Sequence, residues 1–455
     1  MTDIKNNALS RREFIKRIGM GTASAAIMVG IGPLASIGKD DDQPTLVNGM
    51  TYRINRKTGD KVSLLGYGMM RLPHKDGKID QDLVNQEVSH ALKHGVNYFD
   101  TSPHYVHEES ETSLGIALKA SGVPRKDYYI ATKLSNFGQQ EWSREESEKM
   151  YKRSFEYLQT DYIDYYLLHG IGMGGMQNLK DRFIDNGMLD FLLEERKAGR
   201  IRNLGFSYHG DVEVFNYLVE NTDKYKWDFV QIEMNYVDWK HADELNKRNT
   251  KAEYLYTMLE DHDIQAVIME PLLGGRLTKL SDGYTQKLKK LRPDDSIASW
   301  AFRFCGTFPN VLTSLSGMTY MEHLEDNLKT HSPLDPCSKS ELALLEEIAT
   351  DMVSYPTIPC TDCKYCMPCP YGVNIPANFA FYNACVNDST LPPVDANARG
   401  FKKKNAKFQK AYRKAIQESE LASQCVECGE CLKKCPQRIP IPRRMAKLTD
   451  LLESK

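Results

Sequence analysis

The 455-residue chain has little charge of either sign in excess: 59 Lys+Arg against 61 Asp+Glu leave a formal net of −2. A dedicated nucleic-acid binder would be strongly basic, so nucleic acid is not an expected partner. Long hydrophobic runs are scarce. Only one stretch approaches membrane-spanning length, which excludes a polytopic membrane protein. Cysteine is absent before Cys305, although the chain holds 11, so no disulfide framework spans it. What remains is ordinary: 41% hydrophobic and 26% charged residues, which exclude a disordered or collagen-like chain. At about 150 residues per domain, the length allows up to ~3 units.

Charge and cysteine are unevenly placed. Residues 400–455 hold 14 Lys+Arg and 6 Asp+Glu, a net of +8, and leave −10 to the rest. Eight cysteines fall in two tight clusters after residue 359. At the other end, Ser10-Arg11-Arg12-Glu13-Phe14-Ile15-Lys16 precedes an uncharged, Gly- and Ala-rich stretch, Ile18 to Gly38. Twin arginines beside an apolar segment resemble a Tat export signal, and Ser36-Ile37-Gly38 offers small residues for cleavage. Residues 1–38 therefore read as an address rather than part of the fold. Export through the Tat machinery is expected, to the periplasm or to the outer side of the inner membrane. A retained anchor helix is the alternative. Tat-type export carries folded proteins, which suits one whose metal clusters are inserted beforehand.

Residues 50–334 alternate short apolar runs with amphipathic stretches. Candidate strands are Val62–Leu65, Val96–Asp100, Tyr128–Thr132, Tyr162–Leu168, Ile201–Ser207, Phe229–Glu233, Ala266–Glu270 and Val311–Ser316. Their Val, Ile, Leu, Tyr and Phe content suits strands buried on both faces. Eight such strands with helices between them predict an α/β fold, a (β/α)8 TIM barrel. A doubly wound sheet is the alternative, but no Gly-x-Gly-x-x-Gly follows the first strand. Ahead of the barrel, Thr51–Asn55 and Lys61–Ser63 flank Thr58-Gly59 as a hairpin placed to plug the barrel floor.

Barrel chemistry gathers where strands end at the C-terminal face. Asp100, Lys133 and His169 each close a candidate strand, 33 and 36 residues apart, one βα repeat each. Tyr105 follows Asp100 by five residues. Singly, each has a structural explanation as a helix cap, a core residue or a solvated charge. Together they suit carbonyl reduction. Tyr105 can give a proton to the oxygen on which charge develops, and Lys133 would lower its pKa from about 10. Asp100 would hold the lysine, and His169 would orient the carbonyl.

With these residues in place, residues 50–334 resemble an aldo-keto reductase. Gly66-x-Gly68-Met69-Met70-Arg71-Leu72, Asp100-Thr101 with Tyr105, Thr132-Lys133, Leu168-His169, Gly205-Phe206-Ser207, Gln231 with Asn235, Pro271-Leu272 with Gly274-Gly275, and Ser316-Gly317 with Asn327 match its landmarks in order. The resemblance implies hydride transfer between a nicotinamide cofactor, NADPH or NADH, and a small-molecule carbonyl or alcohol. It implies a catalytic tetrad of Asp100, Tyr105, Lys133 and His169. It also implies that Ser207 and Gln231 hold the carboxamide, with Pro271, Leu272 and Asn327 lining the cofactor groove. Departures are Tyr208 for a common Asn, Met269 for an aromatic, and His323 and Asp326 for a common Arg and Glu. Gly317 to Asn327 contains no Lys or Arg to grip a 2′-phosphate.

Residues 335–455 read as a linker helix, Ser340–Asp351, followed by a ferredoxin-type domain. Cys360-x2-Cys363-x2-Cys366-x2-Cys369-Pro370 is followed by Cys425-x2-Cys428-x2-Cys431-x3-Cys435-Pro436. The second run has the bacterial ferredoxin spacing, and the first is one residue short in its last gap. Zinc is the rival reading, but paired zinc sites would not need the triple spacing or the trailing Cys-Pro. Three cysteines can wrap three corners of a cube while the fourth is carried to the other cluster. That assigns Cys360, Cys363, Cys366 and Cys435 to one [4Fe–4S] cluster, and Cys425, Cys428, Cys431 and Cys369 to the other. The module resembles the helical ferredoxin domains appended to some bacterial aldo-keto reductases. Between the motifs, Phe401–Glu418 reads as a basic helix, a docking face for an acidic redox partner or a counterweight to the clusters. Cys305, Cys337 and Cys385 are left as buried hydrophobes.

The parts combine into an exported oxidoreductase with single-electron carriers. The competing class is an electron-transfer protein that keeps the barrel only as a docking scaffold, which predicts an eroded catalytic rim. All four rim residues are present. Replacing both Arg11 and Arg12 by Lys should leave a folded, cluster-bearing protein in the cytoplasm; unchanged location in fractionated cells would overturn the export reading.

Overall fold

The computed structural model describes residues 45–47, 49–246, 248–280, 282–354, 357–388, 390–392 and 400–453. The twin-arginine segment, residues 1–38, lies outside the described residues. Among those described, no helix is long and apolar enough to cross a membrane.

Eight parallel strands close into a barrel in chain order: Leu65–Gly68, Tyr98–Asp100, Tyr129–Leu134, Ile163–Ile171, Ile201–Tyr208, Phe229–Glu233, Gln265–Met269 and Val311–Ser316. The last pairs with the first through Ser314 and Leu65. The first strand differs from the sequence expectation. Lys61–Ser63 pairs antiparallel with Met50–Ile54 in a separate three-stranded sheet, and the barrel begins only at Leu65. The apolar run misleads because Val62 is buried for another reason: it enters the barrel floor, among Tyr98, Ala131 and Tyr165. The hairpin is fastened there by Arg53, whose guanidinium donates to the carbonyls of Gly306, Phe308 and Val311.

Inside the barrel, Tyr98, Tyr165 and Phe229 meet edge to face at centroid distances of 5.0 Å, with Leu167, Val267 and Leu312 around them. Such aromatic contacts add about 0.5–1.5 kcal/mol each beyond burial. Outside, the helices bury one face each against the strands. The helix Lys339–Ser354, read from sequence as a linker, puts Leu345, Ile348 and Ala349 into the barrel's own core. Its outer face is tied by Glu341 to Arg292 at 2.6 Å and by Glu347 to Lys287 at 2.7 Å.

The C-terminal module has a core of its own. Helices Ile375–Asn387, Phe401–Ala415 and Ile441–Glu453 pack through Phe379, Phe408, Tyr412, Met445 and Leu448. The basic helix stops at Ala415, short of Glu418, because Ile416 turns extended and is buried. Tyr412 holds the corner: its hydroxyl donates to Asn378 and accepts from the Ala422 N–H at 3.0 Å. The module docks on the barrel's C-terminal face. Arg276 donates to Thr357 at 2.9 Å, and Gln437 donates to Glu233 at 3.0 Å while accepting from Asn249 at 2.9 Å.

Candidate active site

Side chains two apart on a strand share a face, and the inner face of a barrel strand points at the axis. Two residues beyond Tyr98, Ala131, Leu167, Gly205 and Phe229 therefore come Asp100, Lys133, His169, Ser207 and Gln231, one layer nearer the C-terminal mouth. The register agrees: Asp100 pairs with Ala131, Lys133 with Leu167, and Ser207 with Gln231. Tyr105 arrives from the following loop, which Thr101 pins by a 2.7 Å hydrogen bond with Ser110. All nine candidate tetrad and cofactor residues line one cavity of about 580 Å³.

The tetrad is dry. Lys133 is fully buried and donates to Asp100 at 2.7 Å and to the Thr101 carbonyl at 2.8 Å. Burial raises the Asp100 pKa and lowers that of Lys133, and their mutual attraction opposes both shifts. The ammonium lies 4.8 Å from the centre of the Tyr105 ring. The expected lowering of the Tyr105 pKa is not found. Burial raises it well above 10, and Tyr365 and Asp100 add to the rise, while the lysine's charge is already engaged by Asp100. Tyr105 is thus held protonated. His169 is kept neutral, its pKa driven well below 6.5 by burial and then by Lys133. Its Nδ1 is fixed by Ser135 at 2.6 Å and Ser102 at 3.3 Å, two hydroxyls that sequence reasoning missed. Its backbone carbonyl accepts from Arg182 at 2.7 Å.

The same cavity fits a nicotinamide cofactor. Gln231 leaves its buried Oε1 without a hydrogen-bond partner, and a carboxamide N–H2 would satisfy it. Pro271, Leu272 and Gly275 line one wall, with Ser316 and Asn327 joined at 2.9 Å on the other. At that end stand Glu322, His323 and Asp326. Among the described residues, the cavity's only Lys and Arg are Lys133 and Arg71, and both are already paired.

The roof comes from elsewhere in the chain. Thr361, Cys363 and Tyr365 of the first cysteine motif line this cavity. Arg71 ties the loop down, donating to Asp362 at 2.8 Å and to the Thr361 carbonyl at 2.6 Å. Gly274 lets it approach: a Cβ there would stand 2.4 Å from the Thr361 Cα, and its φ is +65°. Beneath it, burial pushes Glu270 up to about 7, against the pull of Arg71. A larger space of about 1420 Å³ opens beside Tyr105, between barrel loops at His104, Phe137 and Met173 and the module at Lys364 and Arg438. No spacing in the sequence announced this meeting of cysteine loop and barrel mouth.

The eight motif cysteines sort into two neighbourhoods. Cys360 and Cys363 lie beside Cys435, and Cys366 lies beside Cys360 and Cys435. Cys431 lies beside Cys425, Cys428 and Cys369, and these four line one cavity, where Cys366 of the first set borders them. Among the described residues no three His, Cys, Asp or Glu side chains converge tightly enough to hold a single metal ion. A cube instead takes one thiolate at each of four separated corners, a wider arrangement than a single ion needs. Burial raises the thiol pKa values of Cys360 and Cys431 to about 11, and a bound cluster would supply the positive charge that ligation needs. Cys305, Cys337 and Cys385 are buried, and Cys305 donates to the Met234 carbonyl at 3.4 Å.

The profile of the aldo/keto reductase family matches residues 64–350. This chain belongs to that family. Residues 359–439 of this reductase-family chain match the 4Fe-4S dicluster domain. The L-galactose dehydrogenase of Arabidopsis thaliana is 34% identical over 164 residues, 36% of this chain and 50% of that protein. An aldo-keto reductase of Mycobacterium avium is 28% identical over 219 residues, 48% of this chain and 64% of that one. The chain thus spans about half the length of the first and under two thirds of the second. In fold, it resembles the aldo-keto reductase AKR11C1 from Bacillus halodurans, with a TM-score of 0.51 and 24% identity over 66% of this chain and 96% of that one. Two thiol sets that each hold a [4Fe–4S] cluster would carry about eight irons per chain. Iron and sulfide assay of anaerobically purified protein should find that number; about four would remove one cluster, and zinc would remove both.

Proposed function

We propose that the barrel transfers hydride between a nicotinamide cofactor and a carbonyl or alcohol substrate, and that two [4Fe–4S] clusters pass single electrons to or from a partner protein. The observation that carries this reading is the convergence of Asp100, Tyr105, Lys133 and His169 on the cavity that also holds Gln231's unpaired carbonyl oxygen. A bound nicotinamide supplies or accepts the hydride. The chain's own residues do the rest. Tyr105, kept protonated by burial, gives its proton to the carbonyl oxygen. Neutral His169 offers that oxygen a hydrogen bond, with its ring fixed by Ser135. Lys133, anchored by Asp100, places positive charge against the Tyr105 ring as the phenol turns to phenolate. Cys360, Cys363, Cys366 and Cys435 would hold one cluster, and Cys425, Cys428, Cys431 and Cys369 the other. Export through Tat, on Arg11 and Arg12, belongs to the same proposal. A cofactor lodged under the cysteine loop is suited to travel with the folded protein.

The intact rim speaks against the barrel as a mere scaffold. The cofactor's identity follows from charge. A 2′-phosphate calls for Arg or Lys, whereas an acidic residue suits a free ribose 2′-hydroxyl. Glu322 and Asp326 stand at that end of the groove, so NADH is the favoured cofactor.

Equilibrium binding to the reconstituted holoprotein should give NADH at least about tenfold tighter than NADPH, a difference of ~1.4 kcal/mol; the reverse order would overturn the assignment of Glu322 and Asp326. Tyr105→Phe removes one hydroxyl and almost no volume. It should lower single-turnover carbonyl reduction by ~10²–10⁴-fold, the range for an acid–base group, with cofactor affinity nearly unchanged. Lys133→Met should also cripple turnover, and the double variant should be little worse than either alone, because the two act as one unit. A near-wild-type rate in Tyr105→Phe would sink the tetrad.

A further inference from the structure

Tyr365 belongs to no part of the site as the sequence presents it. It stands between Cys363 and Cys366, where spacing alone makes it a filler of the first motif. Folded, it faces the barrel. It lines the same cavity as Tyr105, and the two side chains lie near enough to influence each other, with no short hydrogen bond joining their hydroxyls in the resting site. Hydrogen bonds of a catalytic group are often long before substrate is bound. The Tyr365 ring tilts against Phe137 at 6.4 Å between centroids, and Phe137 lies 4.9 Å from His169. Tyr365 also lines both the tetrad cavity and the larger space beside it.

The loop that carries it is held firmly. Arg71 grips Asp362 and the Thr361 carbonyl, and Thr361 lies against the bare Cα of Gly274. Asp362 and Lys364, on either side of Cys363, both adopt left-handed backbone, with φ of 53° and 64°. Such conformations cost non-glycine residues about 1–3 kcal/mol each and persist where the surroundings fix them. Here the surroundings are the cysteine set on one side and the barrel mouth on the other.

We infer that Tyr365 is a positioning residue of the reductase site, supplied by the cluster loop, whose hydroxyl donates to the Tyr105 oxygen as that oxygen loses its proton. The inference rests on the reading of Tyr105 as proton donor. In the reduction step the carbonyl carbon gains a hydride and the C=O π pair moves to oxygen. That oxygen takes the Tyr105 proton, and the electron pair of the broken O–H bond stays on the phenolic oxygen. Lys133 approaches the ring of Tyr105, and the hydroxyl is left for Tyr365 to meet as the charge develops. A hydrogen bond aimed at the atom where charge appears stabilises it without reorganisation. The step needs no electron from the cluster. The module would thus complete the barrel's active site by shape and hydrogen bonding, whatever current its irons carry.

Tyr365→Phe keeps the ring and its contact with Phe137 and removes only the hydroxyl. In anaerobic full-length holoprotein, with an aldehyde that the wild type reduces, kcat should fall by about 10²-fold, the scale of one lost transition-state donor. KM should stay within about threefold and iron content should be unchanged, a split that a packing defect would not give. A second measurement needs no turnover and no variant. Saturating aldehyde, without nicotinamide, should shift the electron paramagnetic resonance spectrum of the dithionite-reduced wild type, because a carbonyl at Tyr105 touches a side chain flanked by Cys363 and Cys366. The shift should vanish in Tyr365→Phe. An unchanged kcat in an iron-replete Tyr365→Phe, or a wild-type spectrum indifferent to aldehyde, would overturn the inference; should the variant shed its iron, the wild-type spectrum decides. A wild type that reduces no carbonyl compound defeats the reading of function instead, and leaves the spectral shift to judge Tyr365.

Discussion

A strand repeats its side-chain direction every two residues, and a closed barrel leaves the inner face only one place to point. Those two constraints organise this molecule. The interior layer of Tyr98, Ala131, Leu167 and Phe229 fills the axis. The next inward positions, one layer up, must then be Asp100, Lys133, His169 and Gln231. Polar residues there are open to a cavity on one side and packed against an aromatic layer on the other. The aromatic floor and the polar mouth are the same strands read two residues apart.

Burial then sets the chemistry. A lone buried ammonium would be severely destabilised, and Lys133 is tolerable because Asp100 and the Thr101 carbonyl surround it. The same dryness keeps Tyr105 protonated and His169 neutral. These are the states wanted of a proton donor and of a hydrogen-bonding partner for a carbonyl. The lysine was expected to act by lowering the tyrosine's pKa. In the resting site its charge is engaged by Asp100, so any help to the phenolate has to come as the proton moves.

The cysteine motifs impose the second organisation. Each neighbourhood of thiols draws three residues from one motif and the fourth from the other. The crossing closes the module on itself and fixes the loop Thr361–Tyr365 relative to Pro436 and Gln437. Gln437 meets Glu233 and Asn249 on the barrel, while Arg71 and Gly274 receive the loop. Cavity, cofactor groove and cysteine loop therefore share walls.

Strand spacing was enough to place Asp100, Lys133 and His169 on one rim, because βα repeats of fixed length and period-two alternation are local properties. Cysteine spacing likewise marks the two motifs whose thiols meet, because closely spaced cysteines on a short loop stay together. Local rules failed where burial had a distant cause. Val62 is apolar because it plugs the floor, so the first barrel strand starts later than the apolar run, and the helix Lys339–Ser354 carries apolar residues that belong to the barrel's core. The Ser135 and Ser102 hydroxyls behind His169, and Tyr365 above Tyr105, are set by residues 34 to 260 positions apart in the chain meeting in space. No periodicity records such meetings. Local patterning specifies the barrel, its polar rim and the two cysteine motifs. That the second unit roofs the first emerges only on folding, because the contact depends on the docked surfaces of two cores, each built by its own pattern.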